Sequence, residues 1–304
     1  MDKLPIQRIG IIGFGEAGLI VGRDLAALGI DIFVFDILVC AAQERDAMLQ
    51  RISAAKVRAA TSLQDVFADA ELIISLVTAS AATSVASQAA ALLRPGQLFV
   101  DANSVSPETK QNMAREFASL QKNFVEAAVM AAVPLQGLKV PILLGGEHAQ
   151  ELASKLRLIG MDATAVSDRI GMASAIKMCR SVIMKGLNAL VIESLFAARR
   201  YDAEDAVLAS LDVTFPSMGW AKRLPDTLIY RAAEHSRRRA AELREVALAL
   251  SNAGIKPLMS SAAAEVQEWL TKQMEESALS LGTCSSFSWR ELVDVLQKTK
   301  TAHE

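Results

Sequence analysis

Along residues 171–190, GMASAIKMCRSVIMKGLNAL, the polar side chains Ser174, Lys177, Ser181, Lys185 and Asn188 recur every three or four positions in an otherwise apolar run. At about 100° per residue they form one stripe of a helix, with Arg180 displaced beside it. A narrow cationic stripe of this kind suits a solvated edge. It also suits an amine held in a partly dry cleft, where an ammonium group stabilises a developing oxyanion and a neutral amine accepts a proton. Moving a hydride from an alcohol carbon requires the hydroxyl proton to leave, and the reverse reaction requires a proton donor. One lysine can serve both directions, provided that a hydride acceptor is bound elsewhere in the chain.

A site for such an acceptor is legible near the amino terminus. Residues 8–12, RIGII, read as a short apolar strand; GFGEAG then supplies Gly13, Gly15 and Gly18, with Phe14, Glu16 and Ala17 between them, before a helical pattern that continues to about Leu28. Gly13 permits a tight turn, Gly15 lets a phosphate approach the backbone and Gly18 lets helix and strand pack closely. The free amides of the helix start are suited to a pyrophosphate. DIFVFD reads as the next strand, and its last residue, Asp36, lies 21 positions beyond Gly15. A carboxylate there accepts hydrogen bonds from an adenosine ribose diol and repels a 2′-phosphate, which favours NAD and leaves NADP as the alternative. Arg45 reads as a helix-surface residue.

These groups need a scaffold, and the intervening pattern describes one. LIISLV at 72–77 precedes a helix at about 79–93, and QLFVDAN at 97–103 precedes another that starts near Pro107. Apolar runs without polar alternation fit parallel strands covered on both faces. Val77, Thr78, Asn103 and Ser104 therefore fall at strand ends, where open α/β sheets gather ligands. Ordinary loop capping is the other reading, and Ser106 with Pro107 looks like a helix start. Two further strands, at about 124–129 and 139–145, flank a small-residue loop with Met130, Ala131 and Ala132. Its low bulk would let a substrate lie close to the backbone, or let sheet and helix pack tightly.

Residues 170–199 contain little to break a helix, which would run roughly 45 Å. Beyond it, helix candidates cover about 202–210, 226–252, 260–277 and 289–300, and strand signals nearly disappear. The change separates a dinucleotide-binding domain over 1–167 from a helical, substrate-binding domain over 168–304. HSRRRAAELREVALAL reads as a solvated or intersubunit face laced with ion pairs. His235 and Arg239, four apart, would share a face that could instead grip an acidic substrate.

The remaining composition narrows the function class. The chain has 304 residues, 52% of them hydrophobic, and a formal charge of −2 from 32 basic and 34 acidic side chains. That balance offers no strongly basic surface for nucleic acid. Cys40, Cys179 and Cys284, with His148, His235 and His303, form neither a disulfide framework nor a zinc cluster, so reduced cytoplasmic thiols and no metal are expected. The amino terminus lacks a signal-peptide core, and charges interrupt every apolar run, so no membrane partner is expected.

Taken together, the motifs resemble the β-hydroxyacid dehydrogenase family, which includes 3-hydroxyisobutyrate and 6-phosphogluconate dehydrogenases, and within it a 6-phosphogluconate dehydrogenase-like branch with a distinct helical carboxy-terminal domain. The resemblance covers almost the whole chain. Gly13, Gly15 and Gly18 match the fingerprint, with Ala17 where methionine is common. DANSVSP is similar to Asp-x-Ser-Thr-x-x-Pro: Asp101, Ser104 and Pro107 fit, and Asn103 replaces the usual serine. VMAAVP stands at the family's glycine-rich substrate loop, with Ala131 and Ala132 in glycine positions. GMASAIK is similar to Gly-x-Gly-x-x-x-Lys, with Ala173 for the second glycine, and the usual asparagine pair falls on Arg180 and Ser181.

The resemblance implies a Rossmann-type α/β dinucleotide-binding domain followed by an all-helical carboxy-terminal domain that forms a homodimer. It implies NAD-dependent hydride transfer between nicotinamide and a β-hydroxyacid or related acidic alcohol, with Lys177 as general acid/base. Asn103, Ser104, Arg180 and Ser181 would orient the substrate's acidic group and Met130 and Ala131 would line its site. Lys185, two turns from Lys177 on the helical stripe, reads from its position alone as the stripe's solvated end. Reduction of an imine or bulky oxoacid by NAD(P)H, and a non-catalytic NAD-binding protein, are the alternatives.

Overall fold

The computed structural model describes residues 4–220, 222–277, 281 and 285–301. The chain divides into two compact units, one up to Lys177 and one from Met178 onward. The division falls inside a helix, ten residues beyond the boundary read from the change in sequence pattern.

The first unit opens with β1 (Arg8–Ile12), α1 (Glu16–Ala27), β2 (Asp31–Phe35), α2 (Arg45–Ala54) and β3 (Arg58–Ala59). It continues through α3 (Leu63–Asp69), β4 (Leu72–Ser75), α4 (Ala79–Leu92), β5 (Leu98–Asp101), α5 (Pro107–Ser119) and β6 (Asn123–Val129). A helical turn, α6 (Val133–Gln136), precedes β7 (Ile142–Gly145), α7 (Ala149–Leu158) and β8 (Ala163–Ser167). The strands form one sheet in the order β3-β2-β1-β4-β5-β6-β7-β8. The pairing is parallel from β3 to β6, antiparallel between β6 and β7, and parallel again between β7 and β8. Strand order reverses beside β1, so the carboxyl ends of β1 and β4 border the crevice in which such sheets bind ligands.

Strand alternation distributes the apolar residues to two cores. Ile9, Ile11 and Val34 pack with Leu25 of α1 on one side of the sheet. Ile12, Ile73, Phe99 and Phe124 pack with Val66 of α3 and Phe117 of α5 on the other. Phe99, Phe117 and Phe124 form a cluster with ring centroids 5.0–6.1 Å apart. Each such ring contributes about 1.5–3 kcal/mol by leaving water. Ser106 and Pro107 do start a helix: the Ser106 hydroxyl accepts from Thr109 N and Pro107 opens α5.

The second unit holds most of α8 (Met172–Arg200), followed by α9 (Glu204–Thr214), α10 (Leu224–Glu234), α11 (Ser236–Asn252), α12 (Leu258–Glu276) and α13 (Trp289–Thr301). Ile192, Leu195, Ile229, Leu270 and Trp289 build its core. By length and composition alone α8 is apolar enough to cross a membrane, contrary to the sequence expectation. The expectation overweighted its scattered cations; Val191, Ile192 and Leu195 nonetheless sit inside the core of this unit.

The single helix expected over 226–252 is instead two. The backbone departs from helical geometry at His235 (φ −132°, ψ 30°), and α11 then packs along α12. Arg237 and Arg244 pair across that contact with Glu275 and Glu268, so the arginine-rich face is tied to α12. Lys185 also departs from expectation. Its side chain is only 11% exposed and its ammonium lies 2.6 Å from Glu242, so it is a largely buried ion-pair partner rather than a solvated end. Burial holds its pKa below the ordinary lysine value despite the opposing pull of Glu242.

Candidate active site

The glycine loop joins β1 to α1 at the carboxyl edge of the sheet. Gly13 has φ +91°, and a Cβ there would stand 2.5 Å from the Leu76 carbonyl oxygen. A Cβ on Gly18 would stand 2.2 Å from the Gly13 oxygen, so the first helical turn can close on the strand only through glycine. Gly15 differs. Its φ of −67° is open to any residue, and a Cβ would meet nothing within 4 Å. The protein itself has no use for glycine at that position, whereas a pyrophosphate approaching the backbone does. This open cradle at a helix amino terminus fits a dinucleotide.

Two substitutions separate these roles. Gly18→Ala is expected to cost about 1–3 kcal/mol of stability through overpacking against backbone. Gly15→Ala should leave stability within about 0.5 kcal/mol and weaken NAD+ binding at least about tenfold, because it blocks close approach of the pyrophosphate. Thermal unfolding and calorimetric titration measure the two effects; normal NAD+ binding by Gly15→Ala would remove the assignment.

Asp36 directly follows β2 beside this loop. Its Oδ2 accepts from Phe14 N at 2.7 Å, and its Oδ1 accepts from Leu38 N at 3.0 Å. Each oxygen keeps acceptor capacity for a ribose hydroxyl. The 3-10 turn that follows, Ile37–Cys40, carries no basic side chain. Phe14 contributes only its backbone here: the ring is fully buried, against the position of Gly22 on α1. Glu16 and Ala17 occupy the first turn of α1.

The ends of β4 and β5 meet next. Val77 lies against Gly13, and Thr78 is the amino-terminal cap residue of α4, its hydroxyl 3.1 Å from Ser80 Oγ. Asn103 is turned inward, contrary to the expectation that its amide faces a substrate. Its Oδ1 accepts from Val77 N at 2.7 Å, and its Nδ2 donates to Ser75 Oγ at 2.9 Å and to Asp101. The longer amide reaches across two strand ends where a serine would not, and it is 4% exposed. It clamps the loop and leaves the adjacent Ser104 partly exposed.

Lys177 closes this cluster. Six residues into α8, its Nζ donates to Ser104 Oγ at 2.5 Å. The nominated acid/base and one nominated substrate-orienting hydroxyl are therefore in direct contact, although 73 residues apart in sequence. An amine and a hydroxyl so placed can share a proton with a substrate oxygen and hold its orientation.

The other expected residues are placed as follows. Met130 directly follows β6, its N donating to Pro141 O at 2.8 Å, and Ala131 and Ala132 are exposed beside it. Arg180 is exposed and Ser181 half-buried on α8, in the second unit. His235 caps the start of α11 one helical turn before Arg239, whose N donates to His235 O at 2.9 Å, but the two side chains meet different groups. His235 faces Glu234 at 3.4 Å, whereas Arg239 is largely buried, with its Nε unpaired and its pKa lowered by that burial. His148 has a local role, its Nε2 3.1 Å from Asn123 Oδ1 at the start of α7. Cys40 and Cys179 are exposed thiols; Cys284 and His303 lie outside the described residues.

Two contributing residues were not anticipated. Lys110, wholly buried on α5, donates to the Asp101 main-chain oxygen at 2.6 Å and to its carboxylate. Glu126, wholly buried in β6, receives the first turn of α8. Signals for both exist: Lys110 falls on the stripe of Met113 and Phe117, and Glu126 interrupts an apolar strand.

Comparison with known proteins agrees with this fold. The family model described as the NAD binding domain of 6-phosphogluconate dehydrogenase matches residues 8–159, and a domain of unknown function matches residues 198–270. A conserved hypothetical protein from Sinorhizobium meliloti 1021 is similar in structure over 97% of both chains, with 34% sequence identity and a TM-score of 0.76. An uncharacterised 28.5 kDa protein of Methanothermus fervidus is 27% identical over 83% of this chain and 94% of its own. The mitochondrial 3-hydroxyisobutyrate dehydrogenase of Homo sapiens is 25% identical over 60% of this chain, a match that spans 53% of that enzyme.

Proposed function

The chain belongs to the 3-hydroxyacid and 6-phosphogluconate dehydrogenase-like family of Rossmann-fold proteins, and we propose that it is an NAD-dependent oxidoreductase of a small hydroxyacid with Lys177 as its general acid/base. The observation that carries the proposal is the contact of Lys177 Nζ with Ser104 Oγ at the carboxyl edge of the sheet. Gly13, Gly15, Gly18 and Asp36 would hold the dinucleotide, whose nicotinamide accepts or supplies hydride when bound. Val77 and Thr78 would line the nicotinamide side.

In the oxidative direction, Lys177 Nζ takes the substrate's hydroxyl proton; in the reductive direction the ammonium returns it to the developing alkoxide. Ser104 holds both the amine and the substrate oxygen, and Met130 and Ala131 lie against the substrate. Arg180, three residues beyond Lys177, offers a planar guanidinium to the acidic group, with the Ser181 hydroxyl beside it. Replacement of Lys177 is the direct test, with the outcome argued in the Discussion.

Asp36 supports NAD over NADP, because a 2′-phosphate would meet its carboxylate with no basic side chain in the following turn. Titration should show at least about tenfold tighter binding of NAD+, equivalent to roughly 1.4 kcal/mol; tighter binding of NADP+ would reverse the assignment.

A homodimer through the helical unit belongs to the same proposal. Ile183 and Leu190 of α8 are 72% and 53% exposed, and a largely apolar groove of about 600 Å³ is lined by Phe196, Val266 and Trp269. Exposed apolar surface on this scale marks an interaction site. Sedimentation equilibrium should give about twice the 32.6 kDa chain mass; a single-chain mass at micromolar concentration would exclude the dimer.

A further inference from the structure

The amino terminus of α8 is not capped by its own neighbours. Gly171, with φ +102°, precedes it and has no side chain to offer. The orphan donors of the first turn go to a residue 45 positions earlier. Glu126 Oε1 accepts from Gly171 N at 2.7 Å and Ala173 N at 3.0 Å, while Oε2 accepts from Ser174 N at 3.3 Å and Ser174 Oγ at 2.7 Å.

The surroundings are shaped to this carboxylate. On β7 the residue opposite Glu126 is Gly145, where a Cβ would stand 2.5 Å from Oε1. On β5 the residue opposite is Asp101, a second wholly buried carboxylate. The two anions have separate compensation: Asp101 faces the ammonium of Lys110, and Glu126 faces the positive end of α8. Asp101 holds the loop that presents Ser104. Glu126 holds the helix that presents Lys177, which lies one turn past Ser174.

We infer that Glu126 is a positioning residue for Lys177, a remote cap that fixes the axial position and rotation of α8 so that the amine lands on Ser104. The inference rests on the acid/base reading of Lys177. Chemistry explains the residue type. Four donors converge, and a carboxylate offers about four acceptor positions; glutamine offers one oxygen and turns an NH2 group toward backbone N–H groups. Displacement of the amine by about 1 Å is enough to cost roughly a hundredfold in rate.

The test compares the unaltered 304-residue chain with Glu126→Gln, Ser174→Ala and Lys177→Ala. In a crystal structure of Glu126→Gln, Lys177 Nζ is expected beyond hydrogen-bond distance of Ser104 Oγ, and the amides of Ala173 and Ser174 should exchange at least about tenfold faster. With 3-hydroxyisobutyrate and NAD+ as the probe pair, kcat should fall about ten- to a hundredfold while NAD+ affinity holds within about twofold. Ser174→Ala removes one donor without disturbing the buried charge, and should show the same split at smaller size. Lys177 retained on Ser104 with native amide protection in Glu126→Gln overturns the inference, as does loss of NAD+ affinity in step with kcat. Lys177→Ala separates the two readings. If it stays active, the acid/base reading fails and the distance and exchange results still judge the cap; if it is inactive beside an unimpaired Glu126→Gln, the cap alone fails.

Discussion

Lys177→Ala should lower turnover of a 3-hydroxyacid about 10²–10⁴-fold, the range for removing a positioned proton-transfer group, while NAD+ affinity stays within about twofold. The separation follows from where the groups are attached. The proposed dinucleotide contacts hang from β1 and β2, whereas Lys177 is carried by α8 and meets Ser104 at the end of β5. Lys177→Arg sharpens the test. A guanidinium keeps the positive charge but does not release a proton at usable pH, so it should be nearly as inactive as alanine if the role is proton transfer. Substantial activity in the arginine variant would reduce Lys177 to an electrostatic role; unchanged turnover in the alanine variant would remove it from the chemistry. Single-turnover absorbance of the nicotinamide, with 3-hydroxyisobutyrate as the probe substrate, separates the chemical step from binding.

The sequence made the glycine loop, Asp36 and the alternation of strands and helices in the first unit legible because each rests on a local rule: a steric requirement for glycine, a strand end, an apolar run. It pointed to Lys177 and Ser104 separately, through helical spacing and a strand-end position. Their contact across 73 residues needed the fold. Asn103 was misread because residue type tells what an amide can donate but not which way it faces, and here two strand ends absorb it. Lys185 was misread for the same reason, since its solvation depends on Glu242 arriving from α11. The break at His235 has no glycine or proline to announce it. It follows from the packing of α11 on α12, a tertiary effect that local propensity does not contain.

Lys110→Met tests the other half of the scaffold, and about 3–5 kcal/mol of stability should be lost, the usual cost of leaving a buried charge without its partner. Both members of the pair are sealed from water: the side chains of Lys110 and Asp101 are 1% and 0% exposed. Methionine fills much of the lysine volume, so a cavity is not the main expense. The unpaired carboxylate is. The double variant Lys110→Met with Asp101→Asn should therefore recover a large part of the loss, since a neutral amide still accepts from Asn103 and needs no ammonium. The probe must report on the first unit. Trp220, Trp269 and Trp289 all lie in the second, so tryptophan fluorescence would follow the wrong transition. Amide exchange in β4 and β5 during urea unfolding reads the right one. A loss below about 1 kcal/mol, or a double variant no more stable than Lys110→Met alone, would show that Asp101 is satisfied without Lys110. If the pair does carry the expected energy, the same variant should loosen the Asn103 clamp, because Asp101 anchors both Lys110 and the Asn103 amide. Ser104 would then lose its fixed position opposite Lys177, and a stability defect would become a catalytic one without either reacting group being altered.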